Sequence, residues 1–289
     1  MTPFLPRIEQ AMLKSLSGLD VPDAPPQLTG AIRHAVFPGG GRFRPRLCLA
    51  VAKTCGDDAP DLADRAAASI ELLHCASLVH DDLPCFDDSP LRRGLPSVHA
   101  AFGAPIAVLA GDALIVQAFG IFANAGAHAC DRVPALIGIV ARAAGAPHGI
   151  AAGQAWESEP APDLGAYHRA KTAALFASAA QAGACAAGHA PGPWRELGEC
   201  LGEAYQVGDD LRDAVSSEAV IGKPVGKDKA LMRPSAVASL GVAGAVAHLR
   251  ALIARATASI PDSPNAPALR LLIEAETARF VPKELRQAA

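Results

Sequence analysis

Residues 62–94 read LADRAAASIELLHCASLVHDDLPCFDDSPLRRG. Ile70, Leu73, Leu78 and Val79 recur at helical spacing among alanines, which predicts one long helix from about Leu62 to Leu83. Pro84 ends or distorts it. Where the apolar pattern stops, Asp81, Asp82, Asp87 and Asp88 put four carboxylates into eight residues, and Arg92 and Arg93 follow within five more. Like charges so crowded repel one another, so they need water or cations. The two guanidinium groups are shaped to fork onto phosphate oxygens.

A second acidic group lies far downstream, at Gln206-Val-Gly-Asp209-Asp210-Leu-Arg-Asp213. Asp209 and Asp213 are four apart and share one helix face, with Asp210 beside them. Apolar residues upstream put the group in the C-terminal half of a helix, where the helix dipole disfavours carboxylates. That placement also asks for a cation. Hard oxygen ligands on two separate helices, without Cys or His, suit Mg²⁺, which keeps several waters and shares phosphate oxygens. Either cluster alone reads equally well as a solvated helix end. Both together, each with basic residues nearby, favour a metal site that shares phosphate oxygens.

The rest of the chain reads as helix. Leu5, Ile8, Met12 and Leu13 start a first one, broken over Val21 to Pro26. Phe37-Pro-Gly-Gly-Gly is a turn, and Pro45 begins a helix at a position where its missing N–H costs little. Further helices fit about 105–128, 133–145, 148–158, 164–188, 194–217, 235–258 and 265–281. No stretch alternates with period two. No linker or repeat divides residues 1–289, so the expectation is one all-α domain, a single large helical bundle of about ten helices. Composition agrees: 51% of the residues are hydrophobic, which allows a large core, and only 4% are aromatic, which suits close-packed alanine-rich helices better than strands.

A net charge of −3 leaves no basic footprint for nucleic acid. The seven cysteines show no ligand spacing and suit a reducing cytoplasm. The N-terminus is too polar for a signal peptide. The apolar stretch from Ile106 to Ala127 is interrupted by Asp112, Gln117 and Asn124, so it predicts a buried core helix, not a membrane span. Among the histidines only His74 has a positional case, seven residues before Asp81 on the same helix face. His80 adjoins the cluster but points elsewhere, and the others read as surface or local hydrogen-bonding groups. Glu157 and Glu159, after Gln154, read as a solvated helix end.

The ordered set of motifs closely resembles the trans-type polyprenyl diphosphate synthases, most of all the bacterial geranylgeranyl diphosphate synthases. Asp81-Asp82 through Asp87 looks like the family's DDxxxxD, and Asp209-Asp210 through Asp213 like its DDxxD. Gly39-Gly40-Gly41-Arg42-Phe43-Arg44-Pro45 resembles GGKRxRP. Glu71 to His74 resembles E-x-x-H. Gly111-Asp112, Gly153-Gln154, Lys171-Thr172 and Gly222-Lys223 also match. The resemblance implies an isoprenoid synthase bundle around a central cavity, usually homodimeric. It further implies that Asp81, Asp87 and Asp209 hold three Mg²⁺, with Asp82, Asp210 and Asp213 beside them. Arg92, Lys171, Thr172, Gln206 and Lys223 would hold an allylic diphosphate, while Arg44, His74 and Arg93 would hold isopentenyl diphosphate. Lys171 and Lys223 would also stabilise the leaving group. The family's lysine is Gly41 here, and the stretch 231–235 and the C-terminus depart as well.

Residues four and five before Asp81 are Ser77 and Ala76, about one turn upstream, or roughly 6–8 Å along the axis. By resemblance, small side chains there leave room for a C20 product, of the kind that feeds carotenoid synthesis. The nearest alternative is a farnesyl diphosphate synthase, with a C15 product. A terpene cyclase would mix Asn, Ser or Thr into the second motif, and a non-catalytic partner subunit would be expected to lose aspartates; this chain does neither.

Overall fold

Proline marks where many of the helices begin, because the first turn has N–H groups to spare. Pro6, Pro26, Pro60, Pro105, Pro134 and Pro267 all stand in first turns. The computed structural model describes residues 4–19, 21–37, 40–123, 125–160, 163–215, 235–282 and 285. Its helices are α1 (Leu5–Leu16), α2 (Pro26–Val36), α3 (Phe43–Thr54), α4 (Pro60–Asp81), α5 (Val98–Phe102), α6 (Ala104–Gly120) and α7 (Val133–Ala144). They continue with α8 (Ile150–Trp156), α9 (Leu164–His168), α10 (Ala174–Ala186), α11 (Arg195–Val215), α12 (Ala236–Ala258) and α13 (Ala266–Thr277). The all-α expectation holds. The only strands among the described residues are β1 (Leu91–Arg92) and β2 (Leu95–Pro96), paired antiparallel and too short for alternation to show in the sequence.

The long helix expected from residue 62 is α4, and it is the mast of the bundle. Ala63, Ala66, Ala67, Ile70, Leu72, Leu73 and Ala76 are all buried, so it is apolar nearly all round and packs against α1, α3, α6 and α10. Complete burial of Leu72 and Leu73 stabilises the fold by about 2 kcal/mol each.

Two glycines bring α11 close to its neighbour. A Cβ on Gly198 would lie 2.4 Å from Ala177 Cα, and one on Gly202 would lie 2.5 Å from Ala173 Cα. Backbone therefore touches backbone, and the same face of α11, continued by Gln206 and Asp209, is set toward residue 172.

Two expected helices differ from expectation. The helix expected over 164–188 is interrupted by a π turn at Arg169–Ala173. The one expected over 105–128 stops at Gly120, and a 3₁₀ segment, Ala127–Arg132, follows. Helix α6 is also not fully buried: Ala107, Ala110, Gly111, Leu114 and Ala118 face the core, while Val108, Leu109, Ile115 and Val116 are exposed on the other side. Helix α12 is long and apolar enough to cross a membrane by length and composition. Here its Ala245, Leu249 and Leu252 pack on Ala204, Val207 and Leu211 of α11 and on Phe280, closing one wall of the bundle.

Candidate functional site

Helix α4 ends in free carbonyl groups, and the loop after Pro84 folds back onto them. The backbone N–H of Asp87 donates to Asp81 O (2.9 Å), that of Asp88 to Leu83 O (3.0 Å) and that of Ser89 to Asp82 O (3.1 Å). This recoil returns Asp87 to Asp81. Their carboxylates, with that of Glu157 from the end of α8, present oxygens within 4.8 Å of one another. Burial, reinforced by Asp87 and Glu157, holds the Asp81 carboxyl above its ordinary pKa, against the pull of Lys171.

Glu157 is the residue the sequence reading misplaced. It is not a solvated helix end. Its carboxylate accepts hydrogen bonds from Lys171 Nζ, Tyr167 Oη (2.7 Å) and Gln154 Nε2 (3.0 Å). Lys171 Nζ also donates to Asp81 Oδ1 at 3.3 Å. The π turn sets Lys171 and Thr172 toward the cavity, as such turns often do at functional sites. It packs against α8 at Gly153, where a Cβ would lie 2.4 Å from Lys171 Cα. Thr172 Oγ1 donates to Gln206 Oε1 (3.1 Å), linking the π turn to the second acidic segment.

A cationic wall completes the site. The β1–β2 hairpin turns through Arg93 (φ +54°) and Gly94 (φ +78°), the left-handed pair that a two-residue hairpin favours. Arg93's guanidinium rests against Gly40, where a Cβ would lie 2.5 Å from its carbon. Buried Arg42 bonds Glu71 (2.7 Å), Glu9 (2.9 Å) and Val36 O (2.8 Å), which fixes the approach to Arg44. Arg44 Nη1 donates to His74 Nε2 (3.4 Å), and its guanidinium stacks 4.4 Å from the Phe176 ring centre. Its Nε is buried with no hydrogen-bond partner among the described residues. Burial, added to by Arg44 and Arg93, pushes the His74 pKa well below its ordinary value, so the ring is neutral and its Nε2 accepts the hydrogen bond from Arg44.

One cavity of about 390 Å³ adjoins these groups; of the three converging carboxylates Asp81 lines it, and Asp87 and Glu157 do not. Of the expected site residues, Arg44, His74, Ser77, Asp81, Arg92, Arg93, Lys171, Thr172, Gln206 and Asp209 line it. Gln154, Tyr205 and Arg212 line it too; Tyr205 had no motif to announce it, and Arg212 fills a variable position of the second motif. Several expected residues stand elsewhere. Asp82 is buried and forked by Arg92 Nε (3.0 Å and 3.1 Å) and Nη2, so it reaches the cavity only through that arginine. Asp210 accepts from Gln206 Nε2 (3.1 Å) and from the backbone N–H of Ala236 (2.7 Å), which anchors the start of α12. Asp213 lies a turn beyond Asp209 and is not in the lining. Ala76 is buried in the main core and is not in this cavity's lining, whereas Ser77 is. Lys223 lies outside the described residues. His80 is a local group, as expected, with Nε2 3.2 Å from Val108 O and its ring against Gly111.

The donor set fits Mg²⁺. Three carboxylates converge, one of them, Asp81, held at a raised pKa by burial and like charge, and Asp209 of α11 lines the cavity that Asp81 lines. No soft ligand takes part.

The sequence profile of the family "Polyprenyl synthetase" matches residues 25–266. The chain belongs to this family. Among similar proteins are the geranylgeranyl diphosphate synthases of Cereibacter sphaeroides, 49% identical over 98% of both chains, and of Rhodobacter capsulatus, 50% identical over 93% of both. A solved geranyltransferase from Helicobacter pylori, complexed with magnesium and isoprenyl diphosphate, superposes with a TM-score of 0.75 and 30% identity over 97% of each chain. As a polyprenyl synthetase family member, the chain has its two aspartate segments on different helices around one shared cavity.

Proposed function

We propose that this protein is a Mg²⁺-dependent prenyltransferase that joins isopentenyl diphosphate to an allylic diphosphate and releases geranylgeranyl diphosphate. The observation that carries this is the single cavity lined by Asp81 from α4, Asp209 from α11 and a wall of five cations: Arg44, Arg92, Arg93, Lys171 and Arg212. The C20 product is supported by the geranylgeranyl synthases at 49% and 50% identity, against 35% for a probable farnesyl diphosphate synthase of Sinorhizobium fredii.

In this reading Asp81, Asp87 and Asp209 hold three Mg²⁺, with Glu157 beside the first pair. When bound, the ions supply positive charge to the diphosphate that leaves. Arg92, Lys171, Thr172, Gln206 and Lys223 hold that diphosphate. Lys171 sits between Asp81 and Glu157 and is ready to turn one bond onto a phosphate oxygen. Arg44, with its unsatisfied Nε, joins His74 and Arg93 in holding isopentenyl diphosphate.

The allylic C–O bond breaks and its electron pair leaves with the diphosphate. The isopentenyl double bond then attacks the allylic carbon. The proton lost from the adduct goes to the departed diphosphate. Charge developing on the leaving group meets fixed guanidinium and ammonium groups, which need no reorganisation at that moment.

The exposed apolar side of α6, at Val108, Leu109, Ile115 and Val116, supports a homodimer joined along that helix. The free cysteines among the described residues support a reducing, cytoplasmic setting.

Incubation with isopentenyl diphosphate, each allylic primer and Mg²⁺, followed by chromatography, tests the reading. Geranylgeranyl diphosphate is expected, and chelation is expected to abolish it. A product that stops at C15 would give the farnesyl alternative, and no product with any primer would overturn the enzyme.

A further inference from the structure

Arg212 fills a variable position inside the second aspartate segment, Asp209-Asp210-Leu-Arg-Asp213, yet it stands in the cavity lining with Arg44, His74, Arg93 and Asp209. It lies one turn after Asp209 on α11, and its Nη2 pairs with Asp209 Oδ1. Its guanidinium carbon is 5.8 Å from the centre of the Tyr205 ring. Arg44 approaches the same ring at 5.6 Å. The ring itself is held on its other contacts by Phe176 (5.5 Å) and Phe280 (5.4 Å), so it is a fixed support and not a mobile flap. One aromatic ring thus carries two arginines. One of them is buried with an unsatisfied Nε, and the other is about one-third exposed and neutralised by a carboxylate assigned to metal.

Arg212 and a divalent cation at the Asp209 carboxylate are like charges a few ångströms apart, so they repel and compete for it. A guanidinium pushed off Asp209 by a metal would stay at the cavity, because Arg212 is tethered to α11 next to the Tyr205 ring. There it faces the space that Arg44 addresses. Guanidinium is built to take phosphate oxygens in pairs.

We propose that Arg212 is a diphosphate-binding residue held in reserve: without metal it occupies Asp209, and metal at Asp209 releases it to the isopentenyl diphosphate beside Arg44. This rests on the assignment of Asp209 to metal and Arg44 to isopentenyl diphosphate. It adds a coupling that assignment does not contain. Metal at one segment raises affinity for the second substrate through one arginine, and by linkage the second substrate raises affinity for metal.

Calorimetry on the purified full chain separates the terms without turnover, because isopentenyl diphosphate alone cannot react. Three proteins are titrated: the unaltered chain, Arg212→Met and Arg212→Lys. Each receives Mg²⁺ alone, then isopentenyl diphosphate with and without Mg²⁺. In Arg212→Met, isopentenyl diphosphate with Mg²⁺ binds about 10-fold more weakly, the loss of one charge-assisted contact. Mg²⁺ alone binds about 2- to 5-fold more tightly, because Asp209 has lost its competitor. Arg212→Lys recovers most of the affinity for isopentenyl diphosphate.

Opposite movement of the two affinities is the signature, since general damage to the site would weaken both. Equal affinity of Arg212→Met and the unaltered chain for isopentenyl diphosphate overturns the proposal, and so does weakening of both ligands together. Failure of the unaltered chain to bind isopentenyl diphosphate at all overturns the functional reading beneath it instead.

Discussion

Replacing Gly153 by alanine tests how the cavity is positioned, because the residue touches no ligand in this account. Its α carbon faces the π turn, and a Cβ there would lie 2.4 Å from Lys171 Cα and 2.4 Å from Lys171 N. Ordinary contact starts near 3.4 Å, so α8 and the π turn must separate by about 1 Å. Both neighbours are backbone, and no side chain can rotate away to relieve the overlap. The separation moves Lys171 and Thr172 relative to Asp81 and Gln206, to which they are now bonded at 3.3 Å and 3.1 Å. Misplacement by about 1 Å costs roughly 10²-fold in rate where catalysis rests on positioned charge. Overpacking costs about 1–3 kcal/mol of stability, or roughly 2–5 °C in Tm for a chain of this size. The assay is steady-state turnover of radiolabelled isopentenyl diphosphate with saturating allylic primer, beside a thermal melt. Turnover is expected to fall about 100-fold while most of the protein stays folded at 25 °C. Near-normal turnover in Gly153→Ala would refute the argument that the α8 contact sets Lys171.

Other perturbations follow from the same geometry. Ser77→Phe places a ring in the cavity lining and should shorten products toward C15 by chromatography, whereas Ala76→Tyr must first displace core side chains and should mainly lower Tm; an unchanged product spectrum for Ser77→Phe removes that residue from chain-length control. Asp81→Asn should cut turnover by orders of magnitude yet leave the metal-free Tm unchanged or higher, because burial and like charge make the Asp81 carboxylate a cost to the fold; a clear drop in Tm would show that its bond to Lys171 outweighs that cost. Burial depresses His74 in the folded state, so the folded protein takes up fewer protons there than the unfolded chain. Its contribution to stability is present above the unfolded value of about 6.5 and lost as pH falls toward the folded value. Melts between pH 7.5 and 5 should therefore show a shallower acid loss in His74→Gln than in the unaltered chain, and parallel curves would refute the assignment.

Much of this arrangement was legible before any coordinates. The apolar spacing around Ile70 and Leu73 marked α4, because a helix buried nearly all round needs apolar residues on every face. The crowding of Asp81, Asp82 and Asp87 marked its end as a site, because no core tolerates such charge unpaired. What stayed hidden depends on contacts between distant segments. Nothing local to Arg169–Ala173 announces a π turn; it is held by Gly153 on one side and Gly202 on the other. Glu157 looked like a helix end in water because its partners, Tyr167 and Lys171, come from a different helix. Asp82 and Asp210 belong to the motifs, yet each is taken by a neighbour, Arg92 and the start of α12 respectively. A motif names the residues at a site but does not say which of them face the ligand. Arg212 is the reverse case, a lining residue at a position the second motif leaves variable.

The central claim is that carboxylates from α4 and α11 act on one diphosphate. Crystals grown with Mn²⁺ and an unreactive thiolo analogue of the allylic diphosphate test it directly, because anomalous scattering locates each ion. The account predicts ions ligated by Asp81 and Asp87 on one side and by Asp209 on the other, all touching oxygens of the same diphosphate. Ions confined to one aspartate segment, or a diphosphate bound without bridging both, would contradict it.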